Sequence, residues 1–344
     1  MNRKTLILLV AFAALVLVGV MFALQQQGSR YESSAGGLLF PDLESRLASV
    51  QKIELIAGEP SAGTRYTLLR NGSSWGVAER DGYPANNSNI QRLLVGLSNT
   101  RLLEPKTRDP EKYPRLAVGD PASDAAARLV RLIAKDGTVV AEVILGNGAR
   151  NNGQYLRVPD DTQSWMGSER LAFGITHTEW LDRDLLEINQ TEILRSEISP
   201  VEGRPYVVTR QDNELTLSPP PPAGQRNKPG MLHRLQSVMQ NLSAEDIYLG
   251  DDLPADGWAT GTHHLSSGMV IRLETLAKHQ NVSGGLLKIT VSTQDDASDE
   301  TRSEADQLAA RLHGHVYQIQ AHQARMMGQT WNNLVEDIPD TSAN

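Results

Sequence analysis

"SSWGVAERDGYPANNSNIQRLLVGLSNTRLLEP", residues 73–105, sets the reading of the whole chain. It follows Asn71-Gly72, a pair that suits a two-residue hairpin turn because the central positions of such a turn need positive φ. "SSWGVA" is therefore the return strand from "TRYTLLR" (64–70), and "VQKIELIA" (50–57) supplies another alternating segment. "YPANN" turns the corner. Within 86–99, Ile90, Leu93, Leu94 and Leu97 stand at i, i+3, i+4 and i+7, the apolar stripe of one helix. Asn86, Asn87 and Ser88 offer oxygens to cap its free N–H groups. Strands, a corner and a packed helix make an α+β unit.

Working outward, "ARLVRLIA" and "TVVAEVIL" form a second hairpin through Asp136-Gly137, and "QYLRVP" adds a short strand. The unit closes with a helical segment ending near "HTEWLDRDLLEI". The same order then recurs. "QTEILRSEIS" (190–199) matches the first strand, and "RPYVVTRQDNELTLS" (204–218) is a hairpin turning at Asp212-Asn213. A Pro-rich loop leads to a helix over 231–242, with Met231, Leu235, Val238 and Leu242 on one side. "GMVIRLETL" and "GGLLKITVS" repeat the long hairpin, "HVYQIQ" (315–320) takes the place of the strand near Ser164-Trp165-Met166, and Trp331 answers Trp180. This pattern predicts a duplicated α+β unit, the first over 42–183 and the second over 184–338, followed by a tail at 339–344. The alternative is two sets of hairpins and helices that share only the common grammar of α+β proteins.

The N-terminus bears on location. Thr5 to Leu24 form an uncharged apolar run of 20 residues, which as a helix matches a hydrocarbon core of roughly 30 Å. The run is longer than a signal-peptide core, and "FALQQQ" is a poor cleavage site, so an uncleaved transmembrane anchor is expected over 5–24. Arg3 and Lys4 precede it, which puts residues 1–4 in the cytoplasm and everything after the anchor in the periplasm of a bacterial inner membrane. Residues 25–41, polar and Gly-rich, read as a linker. A net charge of -8 over 344 residues argues against nucleic acid as a partner. Cysteine is absent, which excludes thiol nucleophiles, disulfides and thiolate metal sites.

Candidate chemistry is sparse. Gly72-Ser73-Ser74-Trp75-Gly76 fits G-x-S-x-G, but its serines fall in a hairpin and not in a strand-to-helix elbow. Gly146-Asn147-Gly148 begins like a dinucleotide loop, yet Asn151 stands at the third glycine position and a strand follows. His313 and His315, two apart on a strand, would share a face and could hold an ion with His322; His263-His264 is a second pair. No acidic residue accompanies either set at a familiar ligand spacing. The acidic run Asp295, Asp296, Asp299, Glu300, Glu304 lacks the register of a calcium loop and leads into the helix "SEADQLAARL". Trp75, Trp165, Trp180 and Trp331 sit in apolar patterns and belong to the core, whereas Trp258, in "DDLPADGWATG", is either a contact residue or buried under its loop. The residues thus name no catalytic group, no cofactor ligand and no metal ligand.

One resemblance follows from these segments. "WGV", "YPAN", the helix "IQRLLVGLSNTRLLEP", "DPEKYPRLAVGDP", "ARLVRLIAKDGTVVAEVILGNG", "QYLRV" and "WLDRDLLEI" together resemble a bacterial domain family of unknown function. The resemblance covers most of 40–190 and extends weakly into the second half. It implies one N-terminal transmembrane helix and a repeated extracytoplasmic domain. It also implies genes beside an ABC transporter ATPase, a permease and a gliding-motility-type auxiliary protein. The family has no established catalytic residues, so the resemblance implies none here. The expected role is a non-enzymatic accessory or scaffold subunit whose partners are the permease, the auxiliary subunit and the inner membrane. A periplasmic module that binds lipid, glycan or peptide between its halves is the alternative, and an envelope hydrolase with dispersed carboxylates or a histidine-bound metal is a third reading.

Overall fold

The computed structural model describes residues 35–58, 65–171, 177–212 and 214–339. The expected anchor at 5–24 lies outside them, as do most of the linker and residues 340–344. Among the described residues no helix is long and apolar enough to cross a membrane. The chain forms two compact units interleaved in sequence: the described residues of 1–50, 55–64 and 92–173 make one, and those of 51–54, 65–91 and 174–344 the other.

The class is α+β with mostly antiparallel sheets. In chain order the first half contains α1 (Leu43–Arg46), β1 (Val50–Ala57), β2 (Arg65–Asn71), β3 (Ser74–Val77), β4 (Tyr83–Pro84) and α2 (Asn87–Asn99). It continues with β5 (Leu102–Pro105), α3 (Tyr113–Leu116), β6 (Arg128–Ala134), β7 (Val139–Gly148), β8 (Gln154–Arg157) and β9 (Ser164–Gly167). Next come β10 (Asp184–Leu186), β11 (Ile193–Ser199), β12 (Tyr206–Gln211), β13 (Glu214–Ser218), β14 (Gln225–Asn227), α4 (Met231–Ser237), β15 (Leu242–Ser243) and β16 (Asp246–Ile247). The chain closes with β17 (Ala259–Leu265), β18 (Met269–Leu276), β19 (Gly285–Thr293), α5 (Asp299–Leu312), β20 (Tyr317–Ile319), α6 (Ala321–Met327) and β21 (Val335–Asp337).

Two large sheets result. The first has nine strands in the order β4-β3-β2-β1-β6-β7-β8-β9-β5, and the second has eight in the order β13-β12-β11-β17-β18-β19-β20-β16. Set β4 aside and the two orders correspond strand for strand, from β3 against β13 to β5 against β16. Ribbons β10·β15 and β14·β21 stand apart from the sheets.

Local chemistry explains the elements the sequence predicted. Gly72 adopts φ +61, which lets Asn71 pair with Ser74 across the tight turn. Helix α2 starts where Asn86 Oδ1 accepts the Asn89 N–H at 3.0 Å, and it buries Ile90, Leu93 and Leu97. Helix α5 starts where Ser298 Oγ accepts the Thr301 N–H, and Asp299 and Glu300 occupy its first turn. Trp75, Trp165, Trp180 and Trp331 are all buried.

In strand order the long hairpin β6–β7 answers β17–β18, so "GMVIRLETL" and "GGLLKITVS", which form β18 and β19, do not take its place as expected. Two further expectations need correction. The segment "HTEWLDRDLLEI" is not helical: a 3₁₀ turn at His177–Glu179 precedes strand β10. Likewise, the helix expected over 231–242 stops at Ser237. One cause serves both, because Leu186 pairs with Leu242, Ile188 N–H donates to Met239 O at 3.0 Å and Ala244 N–H to Arg183 O at 2.8 Å. Donors that an i→i−4 ladder would use are spent across the ribbon.

The sheets differ in how their faces are finished. On the first, the turn at Pro110–Lys112 and α3 lay Tyr113, Leu116 and Val118 over Ala127, Leu129 and Ile144 in one buried cluster. On the second, one face presents the rows Thr260–Glu274–Lys288 and Thr262–Arg272–Thr290, each half-buried or exposed. Its other face carries the core, where Ile198, Tyr206, Val208 and Leu217 meet Leu232, Leu235, Trp331 and Leu334.

Candidate functional site

The residues singled out in the sequence serve mainly as frame. Ser73 and Ser74 are exposed at the β2–β3 turn. Gly146 and Gly148 lie at the end of β7, and a Cβ on Gly146 would fall 2.1 Å from Leu116 O, so this glycine admits the α3 segment. His313 and His315 do not share a strand face. Gly314 takes φ +83 between them, His313 caps α5, and its Nε2 accepts the Val291 N–H at 2.7 Å. Among the described residues no three His, Asp or Glu side chains gather as ligands for one ion. Trp258 is half-buried, its Nε1 donating to Pro254 O at 2.9 Å and its ring 4.2 Å from Lys288 Nζ.

The most closed polar arrangement joins two residues far apart in sequence. Alternation along β11 and β17 turns Ser196 and His263 to the core face, where they pair directly across the strands. Ser196 Oγ and His263 Nδ1 lie 2.9 Å apart, with the two residues 0% and 3% exposed. Beside the ring is a cavity of ≈ 10 Å³ lined by Ile198, Leu235, Val238, Gly261, Leu273 and Met327 among others. That is about the room one water needs. Helices α4 and α6 roof this region. Burial pulls the His263 pKa down to about 4, with a smaller contribution from neighbouring His264. A serine beside an imidazole suggests nucleophile and base, but this pair lies beneath the roof, next to space for one small molecule. What it does chemically is hold an uncharged imidazole inside an apolar layer.

Around the same roof, Arg210 reaches from β12 to donate to Gln236 Oε1 at 2.6 Å and to Gln190 O at 2.9 Å. Two buried roof amides keep an unpaired atom, Gln236 Nε2 on α4 and Gln323 Oε1 on α6.

A second cluster builds on the Tyr83-Pro84 corner, within the unit that contains 65–91. The Tyr83 ring meets His315 edge-on at 5.0 Å and Tyr317 at 6.0 Å. Burial raises the Tyr83 phenol to about 12 and also raises Tyr317. Arg80 forms a two-pronged bond with Asp246, Nε to Oδ1 at 2.7 Å and Nη2 to Oδ2 at 2.9 Å. Burial raises the Asp182 carboxyl, while Arg311 at 3.9 Å opposes the shift. Backbone bonds complete the corner: Asn86 N–H donates to Trp180 O and Asp182 N–H to Pro84 O. The corner is thus a joint held by charge, rings and backbone together.

Sequence reading missed both clusters. Ser196 and His263 stand 67 positions apart and Arg80 and Asp246 166 apart, with no spacing rule linking either pair. The one usable sign was alternation, which places His263 on the same side of its strand as Leu265.

Among curated proteins, and among solved structures, nothing matches the chain. A family described as a domain of unknown function (DUF4340) matches residues 75–257, more than half of the sequence. The matched stretch opens in β3 with Trp75 and ends at Gly257, just before β17. It takes in the corner, α2, the long β6–β7 hairpin and, further on, the β11–β12–β13 segment, and the chain belongs to the DUF4340 family.

Proposed function

We propose that this chain is a non-enzymatic, membrane-anchored periplasmic subunit that scaffolds an ABC-transporter-like, gliding-motility-type envelope complex. Residues 5–24 would hold it in the inner membrane with the N-terminus in the cytoplasm, and the permease and auxiliary subunit would be its partners. The observation that carries this reading is the recurrence of one strand order in two sheets, which we read as duplication of one α+β module. Corresponding elements of the two modules carry different polar groups. Strand β8 has Arg157 and β19 has Lys288, and ahead of α2 stands the capping Asn86 where Gly230 stands ahead of α4. A repeated frame whose sheet faces are finished differently, one covered by the α3 segment and one left polar, suits contact with different neighbours. The engagement of the marked side chains in structural bonds, His263 with Ser196 and His313 with Val291, supports a role exercised through surfaces.

The test is affinity purification of the full chain, anchor included, from mild detergent. Recovery of a permease and an auxiliary subunit is the expected result. Repeated recovery of the chain without either would overturn the reading.

A further inference from the structure

The roof over the second sheet has the construction of an acid-sensitive latch. We propose that protonation of His263 lifts α4 and α6 from the sheet and exposes the apolar surface beneath them, while the first sheet stays closed.

The geometry carries the argument. His263 is 3% exposed, and its Nδ1 has a neutral hydroxyl, Ser196 Oγ, as partner. Gly261 lies against the opposite side of the ring, where an added Cβ would stand 2.9 Å from Nε2. A charge created there would sit among Ile198, Leu235, Leu273 and Met327. A buried charge without a counter-ion is strongly unfavourable, so the protonated ring favours any arrangement that admits water.

The surrounding charged groups offer little relief. On its own strand the neighbour is His264, which faces the opposite side and lies 3.5 Å from Glu197. Strand β11 brings Ser196 to the core side and turns Arg195 and Glu197 away, where they pair with each other at 2.9 Å. Strand β18 brings Ile271, Leu273 and Thr275 to the core side, with Arg272 and Glu274 paired on the other. From β12 the core-facing charge is Arg210, a cation. Helix α4 contributes Leu235 and, just past its end, Val238, its His233 and Arg234 being exposed, and α6 contributes Met327, its His322 and Arg325 also exposed. His313 is occupied at Val291.

The roof is made of short helices held by their packing. Each of its helices has 7 residues, and helices shorter than about 12–15 residues depend on packing for their stability. Gln236 Nε2 and Gln323 Oε1, unpaired when the roof is down, gain water when it rises.

The chain has no cysteine, so a single introduced thiol reports on one place. Met327→Cys puts it in the cavity wall, and Leu145→Cys puts a control in buried β7 of the first sheet. Val201→Cys, at an exposed position, supplies the reference rate. The full chain in detergent is reacted with 4,4′-dithiodipyridine, which modifies thiols at acid pH, from pH 7 down to 4.5. The Met327→Cys rate relative to the reference should rise about tenfold or more, while Leu145→Cys stays protected. Adding His263→Gln, which keeps a neutral polar side chain, should abolish the rise. The proposal is overturned by a flat Met327→Cys profile, by an equal rise in the His263→Gln background, or by Leu145→Cys rising in step. If Met327→Cys does not fold, Val238→Cys in the same wall takes its place under the same criteria.

Discussion

Arg157 and Lys288 stand on corresponding strands, β8 and β19, and each lies against an aromatic ring. Arg157 Cζ is 4.6 Å from the centre of Tyr113, and Lys288 Nζ is 4.2 Å from that of Trp258. There the likeness ends. Arg157 is buried, donating to Val118 O at 2.8 Å, Pro159 O at 2.7 Å and Asp161 O at 3.2 Å. Lys288 is half-buried in the polar row Thr260–Glu274–Lys288. The same cation–ring motif fastens a covering segment in one sheet and remains a surface contact in the other. Corresponding strands thus carry a cation against a ring at two depths, buried under the α3 segment at Arg157 and half-buried at Lys288.

Truncating each cation separates these roles. Arg157→Ala would strand several buried carbonyls and open a gap beneath Tyr113, costing about 4 kcal/mol in urea or thermal unfolding. Lys288→Ala should cost below about 1 kcal/mol, the usual worth of an accessible cation–ring contact. Comparable losses at both sites would break the comparison. Gly146→Ala tests the covering segment from the opposite side, since its Cβ would meet Leu116 O at 2.1 Å and Val118 Cγ1 at 2.8 Å. We expect a loss of about 3 kcal/mol, with Arg157 retained but the segment displaced, because backbone atoms cannot yield as a flexible side chain can.

Acid should distinguish the sheets as well. All eight histidines fall between 177 and 322, so strands β1–β9 have none. The folded pKa of His263 is about 4, below the ordinary 6.5, and the unfolded chain therefore takes up the proton first. Its contribution is fully present above about pH 6.5 and is lost as pH falls toward about 4, a total of about 3 kcal/mol. Unfolding followed across that window should show a steeper acid loss for the native chain than for His263→Gln, whose slope retains the carboxylates and the other histidines, among them His315, which burial also lowers. Parallel slopes would mean that His263 is no more costly to protonate in the fold than in the unfolded chain.

How much of this was legible follows from the range of each interaction. The β2–β3 hairpin and α2 were readable because their determinants lie within a few residues: Gly72 for the turn, which centres on Gly72-Ser73 one residue past the expected Asn71-Gly72, and Ile90, Leu93 and Leu97 for the stripe. The helix expected to run to Leu242 failed because a residue far upstream, Leu186, takes Leu242 into a ribbon. His313 and His315 misled because alternation implied a strand where Gly314 makes a turn. Arg157 carried no sign at all, since its partners are backbone carbonyls, which every residue offers. The Ser196–His263 pair depends on which strands become neighbours, a property of topology that no short window contains.

The smallest expected difference concerns the two helices that follow the corners. Helix α2 has Asn86 as a capping acceptor at 3.0 Å and runs 13 residues, whereas α4 begins after Gly230, at φ 71 without a side-chain cap, and runs 7. Asn86→Ala should cost about 1 kcal/mol by removing the acceptor for the Asn89 N–H. Gly230→Asn should be close to neutral, because no atom lies within 4 Å of the added Cβ and asparagine tolerates left-handed backbone better than most residues. An Asn86→Ala variant with unchanged unfolding would shift the weight elsewhere at the corner. It would then rest on the Asn86 N–H to Trp180 O bond at 2.8 Å and on Asn89 Nδ2 to Glu179 O at 2.6 Å. In that case α2 is fixed by the segment around Trp180 and not by its own cap, and the longer helix of the first corner would owe its length to docking, as the shorter one does.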